Sequence, residues 1–179
     1  MSAAATPAEV VAFWRDAGPK RWFASNAAFD AEFDRRFGEA HFAAARRELD
    51  DWACAPESAL ALLLLLDQFP RNVFRGTGHA YATDPLARHF ARAMVDAGDD
   101  AKVPRELRIF CYLPFQHSEA MADQERAVAL LQAMGEAKWA LHHRGIIRRF
   151  GRFPHRNAVL GRVSTPGEVE FLAKGGFDG

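Results

Sequence analysis

Apolar side chains recur every three or four residues along most of the chain, which is the spacing of one face of an α-helix. The clearest stripe contains Phe29, Phe33 and Phe37, and the same spacing continues over residues 41–49, beyond Gly38. The sequence has no convincing segment of the period-two alternation that indicates a β-strand. The pattern therefore predicts an all-α protein of about eight or nine helices in a single domain over residues 1–179.

Capping and helix-breaking residues predict where the helices begin and end. Thr6 and Glu9 form a capping box around Pro7, and Thr165 begins the same arrangement before a last helix. Ser118 is predicted to cap a helix over residues 119–134. The other predicted helices begin at Ser25 or Asn26, at Pro56, at Thr77 (ending near Ala97), at Pro104 (ending before Pro114) and at Glu136 (ending at Phe150).

A run of eight apolar residues, ALALLLLL over residues 59–66, has no polar side. An element of this kind is predicted to be buried on all sides. It changes within one step to Asp67 and Gln68, and Pro70 is predicted to end the helix shortly afterwards. Polar groups attached directly to a buried element are held in fixed positions, so the segment after Leu66 is a candidate site.

Composition and charge are typical of a soluble globular protein. The 179 residues are 49% apolar and 26% charged, and 23 basic side chains balance 23 acidic ones. Because the formal net charge is zero, no overall field favours nucleic acid or membrane. Cys54 and Cys111 stand alone in the sequence, which predicts reduced thiols in a cytoplasmic protein. The amino terminus lacks a signal-peptide pattern, and the apolar run is too short to span a bilayer.

Polar residues are concentrated in three motifs that each contain a Phe-Pro or Pro-Phe pair. The motifs are DQFPRN over residues 67–72, LPFQHSE over residues 113–119 and FGRFPHRN over residues 150–157. In each motif, we expect phenylalanine to anchor the segment in the core and proline to fix the backbone. An arginine held in this way is suited to bidentate binding of a carboxylate or phosphate.

The basic residues are unevenly distributed along the chain. No acidic residue lies between Glu136 and Glu168, whereas His142, His143 and His155 all lie in this stretch. The stretch also contains seven basic residues, which are Lys138, Arg144, Arg148, Arg149, Arg152, Arg156 and Arg162. It is predicted to pair with an anion, which is a ligand, a nucleic acid or the protein's own acidic residues.

Each candidate residue also has a structural interpretation. Asp67 with Arg71 or Arg156 would form a buried ion pair that locks helix ends, and this alternative is as good as ligand binding. Asp84 suits a structural carboxylate, and His143, on a face with Trp, Ile and Phe, suits a core histidine. The sequence has no zinc-type Cys/His spacing, no phosphate-binding glycine loop and no nucleophile elbow, so we expect no metal and no cofactor.

Four segments occur in the order found in a known bacterial family, and they are LLLLDQFPRNVFRGT, AYATDPLA, LPFQHSE and FGRFPHRN. At these motifs, and over essentially the whole chain, the sequence resembles the family catalogued as Domain of Unknown Function 924. The resemblance implies an architecture similar to tetratricopeptide-like helical proteins, and it brings no settled activity. It marks these polar positions: Asp67, Gln68, Arg71, Asn72, Arg75, Asp84, His117, Glu119, Arg152, His155, Arg156, Asn157 and Arg162.

The leading hypothesis is a pocket in which the three motifs converge and bind a small molecule that carries phosphate or carboxylate. The candidate ligand-binding residues are Asp67, Gln68, Arg71, Asn72, Arg75, Arg152, His155, Arg156, Asn157 and Arg162. If a reaction occurs there, His117 is the best general acid or base, held by Glu119 or Asp84. Three alternatives stay open: a tetratricopeptide-like module for protein partners without catalysis, RNA binding through residues 144–162, and an internal ion-pair network. Nucleic acid is the least favoured partner.

Overall fold

The computed structural model describes residues 5–177, and within this range the chain forms helices joined by turns, with no β-strand. The α-helices are α1 (Pro7–Ala17), α2 (Pro19–Trp22), α3 (Ala27–Ala45), α4 (Pro56–Leu63), α5 (Phe69–Val73), α6 (Asp84–Asp96), α7 (Ile109–Gln116), α8 (Met121–Met134), α9 (Ala137–Phe150) and α10 (Pro166–Ala173). Short 3-10 turns occupy Asp50–Cys54, Gly78–Tyr81, Asp99–Lys102 and Pro154–Arg156. The predicted all-α class is confirmed.

The described chain divides into two compact units. The first unit contains residues 5–75 and 79–114, and the second contains residues 76–78 and 115–177. A tetratricopeptide-like arrangement and a single domain over the whole chain stay predictions. Within residues 5–177, no helix is long and apolar enough to cross a membrane.

The first unit is built around aromatic side chains and the leucine-rich run. Phe29, Phe33 and Phe37 line the buried face of α3, and the Phe13 ring of α1 stacks on Phe29 with 5.1 Å between the ring centroids. Residues 59–66 are all buried, as their unbroken hydrophobicity predicts. The polar side chains that follow this run are therefore attached to the centre of the first unit.

Pro70 does not end the central helix as predicted. A π turn over Leu64–Gln68 precedes it and accommodates the proline within the helical segment. The N–H of Phe69 bonds to the carbonyl of Leu64, five residues back, and Pro70 has no N–H to donate. The helix then continues as α5. Two main-chain carbonyls, those of Leu65 and Leu66, accept hydrogen bonds from side chains instead.

These two side-chain donors come from other elements of the first unit. His41 Nδ1, on α3, donates to the Leu65 carbonyl over 2.8 Å. Thr83 Oγ1, just before α6, donates to the Leu66 carbonyl over 2.5 Å. The π turn therefore ties three elements together at the point where the apolar run becomes polar.

Two further helix boundaries differ from the prediction. The helix expected from Thr77 begins at Asp84, because Pro85 at its first turn is tolerated only near a helix start. Pro114 lies inside α7, which was expected to end before it. At these two prolines, the observed helix boundaries differ from the predicted ones by several residues, and the fold class is unchanged.

The second unit contains α8, α9, α10 and the segment between the last two. Its buried core is formed by Ile146, Ile147 and Phe153. The predicted capping box at Thr165 is confirmed, and so is the one at Thr6 in the first unit. Ser118 is not the N-cap of α8, which begins at Met121; its hydroxyl accepts the N–H of Ala120 and donates to Asp123.

Candidate functional site

The predicted site residues form two clusters, one in each unit. The DQFPRN motif and Asp84 belong to the first unit, and the residues after Pro114 belong to the second. A pocket shared by all three motifs therefore stays a prediction. The chemistry of each cluster follows from its own contacts.

Arg71 is the centre of the first-unit cluster. Its two terminal nitrogens bind both oxygens of Asp84 at 2.8 and 2.9 Å. Nη1 also donates to the Asp67 carbonyl over 2.9 Å and lies 3.0 Å from the Asp67 carboxylate. Burial opposes its charge, but the carboxylates of Asp67 and Asp84 outweigh burial and raise the pKa of Arg71. This guanidinium is part of a buried ion-pair network, which was one of the two sequence-based interpretations.

The remaining polar groups of the DQFPRN motif, and Arg75 beyond it, also have partners within the first unit. Gln68 Nε2 donates to the Asp67 carboxylate over 2.6 Å, and Asn72 Nδ2 donates to the Gln68 carbonyl over 2.8 Å. Arg75 donates to Asn72 Oδ1 over 2.8 Å and pairs with Asp30 at 3.3 Å. These contacts fix the polar end of the central helix, and they occupy donors that a ligand would need.

Arg152 and Arg162 have similar structural partners in the second unit. Arg152 forms a bidentate pair with Glu168 at 2.7 and 2.8 Å. Hydrogen bonds from Arg152, together with those from the Thr165 cap, lower the pKa of Glu168 to about 2. Arg162 binds Glu119 Oε1 at 2.8 Å, and the same oxygen accepts the N–H of Phe153 at 2.9 Å.

The basic stretch therefore finds part of its charge partner inside the protein. Arg144 and Arg148 both bind Glu125 of α8, at 2.9 and 3.4 Å. Arg152 and Arg162 also pair with acidic side chains of the second unit, those of Glu168 and Glu119. For these four arginines, the anion is therefore the protein's own acidic side chains, which was one of the three partners predicted for the basic stretch.

Arg156 is buried in the second unit and only 6% exposed. Its Nη2 donates to the main-chain carbonyl of His117 over 3.0 Å, and its guanidinium lies 4.5 Å from the centroid of the Phe153 ring. The ring of His143 lies 5.6 Å from Phe153 and 6.4 Å from His117. The ring of His155 also lies 5.6 Å from Phe153. We call His117, His143, His155 and Arg156, arranged around Phe153, the histidine–arginine cluster.

His143 is held neutral within this cluster. Burial, followed by the nearby His117, lowers the pKa of His143 to about 3. Its Nδ1 lies 2.7 Å from the carbonyl of Trp139, and a carbonyl only accepts, so Nδ1 carries the proton and Nε2 carries the lone pair. Near neutral pH, His143 therefore adds no positive charge to the cluster.

Asn157 adds a buried amide beside Arg156. It is 1% exposed, and its Nδ2 donates to Ser164 Oγ over 3.0 Å. Its Oδ1 has no hydrogen-bond partner among the residues that the structure describes. A buried amide oxygen without a partner is costly, and a protonated ligand group or a water molecule would satisfy it.

The two predicted catalytic carboxylates each bind an arginine within their own unit. Asp84 is bound by Arg71 in the first unit, and Glu119 is bound by Arg162 and Phe153 in the second. His117 lies in the histidine–arginine cluster. A role for Glu119 or Asp84 in orienting His117 stays a prediction.

The surface of the first unit has a depression of about 510 Å³ between α1, α2 and α3. It is lined by Phe13, Phe29 and charged side chains, and it contains none of the predicted site residues. No group of three or more His, Cys, Asp or Glu residues between 5 and 177 is arranged to hold a metal ion. Sequence reasoning missed Phe177, which lies beside the histidine–arginine cluster; its only signal was the pair of glycines before it.

The fold and these clusters define an all-α protein whose polar motifs lie at helix ends in networks of arginine, histidine and carboxylate. The chain belongs to the family described as bacterial protein of unknown function DUF924, whose profile matches residues 10–176. Among solved structures, it is similar to the protein of unknown function ATU0120 from Agrobacterium tumefaciens, with 56% identity and a TM-score of 0.92. That match covers 94% of this chain and 97% of the other. Comparison with curated proteins finds no match.

Proposed function

We propose that this protein binds a small anionic molecule, carrying phosphate or carboxylate, at the histidine–arginine cluster of the second unit. The observation that carries the proposal is the buried amide of Asn157, which follows the buried Arg156 in the chain. Its Oδ1 has no hydrogen-bond partner among the residues that the structure describes.

The groups around Asn157 support an anion as the ligand. The guanidinium of Arg156 and the rings of His143 and His155 all contact the ring of Phe153. A ligand that carries both a negative charge and a hydrogen-bond donor would interact with Arg156 and satisfy Asn157 Oδ1.

The first-unit cluster supports a different role. Its arginines bind Asp67, Asp84, Asp30 and Asn72, so an anion there would have to displace carboxylates of the protein. We therefore assign the ligand-binding part of the hypothesis to the second unit, and a structural part to DQFPRN. If the bound molecule reacts, His117 is the residue available for proton transfer.

Thermal unfolding in the presence of anions tests the proposal. The wild type is scanned against inorganic phosphate, sulfate, acetate and nucleotides. A ligand that binds only the folded state stabilises it by about 2.7 kcal/mol at roughly 100 times its Kd, which is a shift of several degrees for a chain of this size. We expect one anion class to produce this shift.

Three variants identify the site of binding. Arg156→Ala should abolish the shift, and Arg156→Lys, which keeps the charge but not the planar fork, should reduce it. Arg71→Ala should lower the baseline stability but retain the shift. Arg35→Ala, an exposed surface arginine, is the matched control. If no anion stabilises the wild type, or if Arg156→Ala keeps the full shift, the proposal is wrong.

A further inference from the structure

Two histidine side chains of the first unit contact each other through their ring nitrogens. His41 lies on α3 and is 0% exposed, and His79 lies on a 3-10 turn and is half-buried. Their Nε2 atoms are 3.0 Å apart, and the ring planes form an angle of 68°. The ring of Phe69 stacks on His41, with 4.7 Å between the centroids, and the ring of Phe74 lies 4.2 Å from that of His79. A polar contact is thus built into an aromatic environment.

The hydrogen bonds of this pair fix where its protons lie. Nδ1 of His41 donates to the carbonyl of Leu65 over 2.8 Å, so Nε2 of neutral His41 carries a lone pair. His79 must then donate its Nε2 proton to His41, and neutral His79 carries its lone pair at Nδ1. The contact between the rings therefore has a defined direction, from His79 to His41.

The pair responds differently to a first and to a second added proton. A first proton at Nδ1 of His79 leaves the hydrogen bond in place and gives it a charged donor. When both rings are protonated, two N–H groups point at each other at Nε2, and neither ring offers an acceptor there. The contact is therefore kept with one positive charge on the pair and lost with two.

The surroundings of His41 determine when the second proton enters. Burial lowers the pKa of His41, and His79 acts in the same direction. The hydrogen bond to the Leu65 carbonyl and the charge of Asp34, on the same helix, act in the opposite direction. The rings packed against the pair carry no charge, and they are those of Phe42, Phe69 and Phe74. We therefore expect the second proton to enter at a lower pH than an exposed histidine requires.

The turn that carries His79 also carries Tyr81. The guanidinium of Arg71 lies over the Tyr81 ring, 5.7 Å from its centroid. The residues that follow the turn are held separately, because Thr83 and Asp84 form hydrogen bonds of their own with the central helix. A change at His79 can therefore move this turn while α6 stays in place.

We infer that His41 and His79 form an acid-sensitive switch in the first unit. Near neutral pH, their hydrogen bond attaches the turn to α3, and the turn is released when both rings carry a proton. Release moves Tyr81 away from Arg71, so acid exposes one side of the ion-pair network around Arg71. This switch goes beyond the proposed anion binding and does not depend on it, since the anion site belongs to the second unit.

Nuclear magnetic resonance of the ¹⁵N-labelled full chain, titrated from pH 8 into acid, tests the switch. Imidazole nitrogen shifts report the tautomer of each ring, and at pH 8 we expect Nδ1–H for His41 and Nε2–H for His79. The N–H of Ala82 donates to the carbonyl of His79 over 3.1 Å, and its resonance should shift as the second proton enters the pair. The N–H of Ala87, which donates to the carbonyl of Thr83 over 2.9 Å at the start of α6, should not shift.

Two substitutions at position 79 separate the switch from a simple structural contact. Glutamine donates an N–H to neutral His41, and its amide can turn over and present its oxygen to protonated His41. His79→Gln should therefore keep the turn attached and abolish the acid shift of Ala82. His79→Phe removes the contact at every pH, so hydrogen exchange of the Ala82 amide at pH 7 should be faster than in the wild type. His89→Gln, an exposed position on α6, is the matched control and should titrate as the wild type.

Each of four results would overturn the inference. An Nε2–H tautomer of His41 at pH 8 would reverse the direction of the hydrogen bond. Protonation of both rings without a shift at Ala82 would show that the turn does not depend on the pair, and so would an acid shift that persists in His79→Gln. A simultaneous change at Ala82 and Ala87 would show that acid unfolds the unit rather than releasing the turn. The wild-type titration decides the question even if a variant does not fold.

Discussion

Arg71 and Arg156 show how the partners of one residue type decide its role. Arg71 binds two carboxylates, of which Asp67 is 1% exposed and Asp84 is 6% exposed. Removal of a buried ion-pair partner leaves an uncompensated charge, whereas removal of an exposed partner does not. Arg156 binds a main-chain carbonyl, that of His117, and its guanidinium lies over the ring of Phe153.

Arg71→Ala is therefore expected to destabilise the folded state by about 3 to 5 kcal/mol, because Asp67 and Asp84 would remain buried without their cation. Urea unfolding followed by circular dichroism measures the change. Arg75→Ala, three residues after the DQFPRN motif, is the matched control. Its side chain is 42% exposed, and we expect a loss of about 1 kcal/mol or less. Equal losses for the two variants would contradict the structural role of Arg71.

His143 predicts how stability depends on pH. Its folded-state pKa of about 3 lies below the ordinary unfolded value of about 6.5. Between about pH 6.5 and pH 3, this histidine is protonated in the unfolded chain but neutral in the folded protein. The free energy of unfolding therefore falls by about 1.4 kcal/mol for each pH unit below about 6.5. Burial also lowers the pKa of His41 in the first unit, which acts in the same direction.

His143→Gln is expected to reduce this acid sensitivity. Urea unfolding at pH 7, 6 and 5 gives the slope for each protein, and the variant should have the shallower one between pH 6 and 5. The control is His89→Gln, an exposed position on α6, which should leave the slope unchanged. A slope that is the same in all three proteins would show that His143 is not held neutral.

At the scale of elements, the π turn and Pro70 act together. The π turn and the missing N–H of proline leave the carbonyls of Leu65 and Leu66 for side chains, and His41 and Thr83 bind them. In a regular helix, these two carbonyls would bind main-chain N–H groups of the same helix. Here they bind side chains of α3 and of the residue before α6, so the π turn contributes to the tertiary structure of the first unit.

Thr83→Val removes the hydroxyl that binds the Leu66 carbonyl and keeps the shape of the side chain. Because that carbonyl is buried, we expect a loss of about 1 to 3 kcal/mol in the free energy of unfolding. Thr83→Ser keeps the hydroxyl and should lose less. In a double-mutant cycle, Pro70→Ala supplies an N–H near the same carbonyls, so Thr83→Val should cost less in that background. An undiminished cost there would contradict the link to Pro70.

At the scale of the whole molecule, the two cysteines report whether the first unit is intact. Cys54 is exposed and Cys111 is buried, and burial raises the pKa of the Cys111 thiol to about 12. Since the thiolate is the reactive form, the native protein should react rapidly with one equivalent of a thiol reagent such as Ellman's reagent, and with two after denaturation. Rapid reaction of both thiols in the native state would contradict the buried position of Cys111.

The hydrophobic pattern predicted the fold class and much of the core, because helical spacing and burial are local properties of the sequence. The stripe of Phe29, Phe33 and Phe37 is buried as expected. Proline positions were less informative, because Pro70 and Pro114 both lie inside helical segments. The π turn that precedes Pro70 leaves no signal in the residue spacing.

The site was predicted in its residues but not in their pairing. The motifs identified the arginines but not their partners. Glu119 binds Arg162, which lies 43 positions away, and no sequence pattern indicated this pair. Partner choice over such distances depends on how helices pack, which a single sequence does not contain. Phe177 escaped notice for the same reason, since a lone phenylalanine near the end of the chain has no spacing pattern.

The π turn also restricts which changes of length this protein can accept. A π turn corresponds to one residue added to a regular helix, and each residue of an α-helix turns the chain by about 100°. Deletion of one leucine from residues 64–66 would keep the hydrophobicity of the run and restore a regular helix, but it would rotate Arg71 away from Asp84. Evolution can therefore exchange these leucines for other apolar residues far more easily than it can drop one of them.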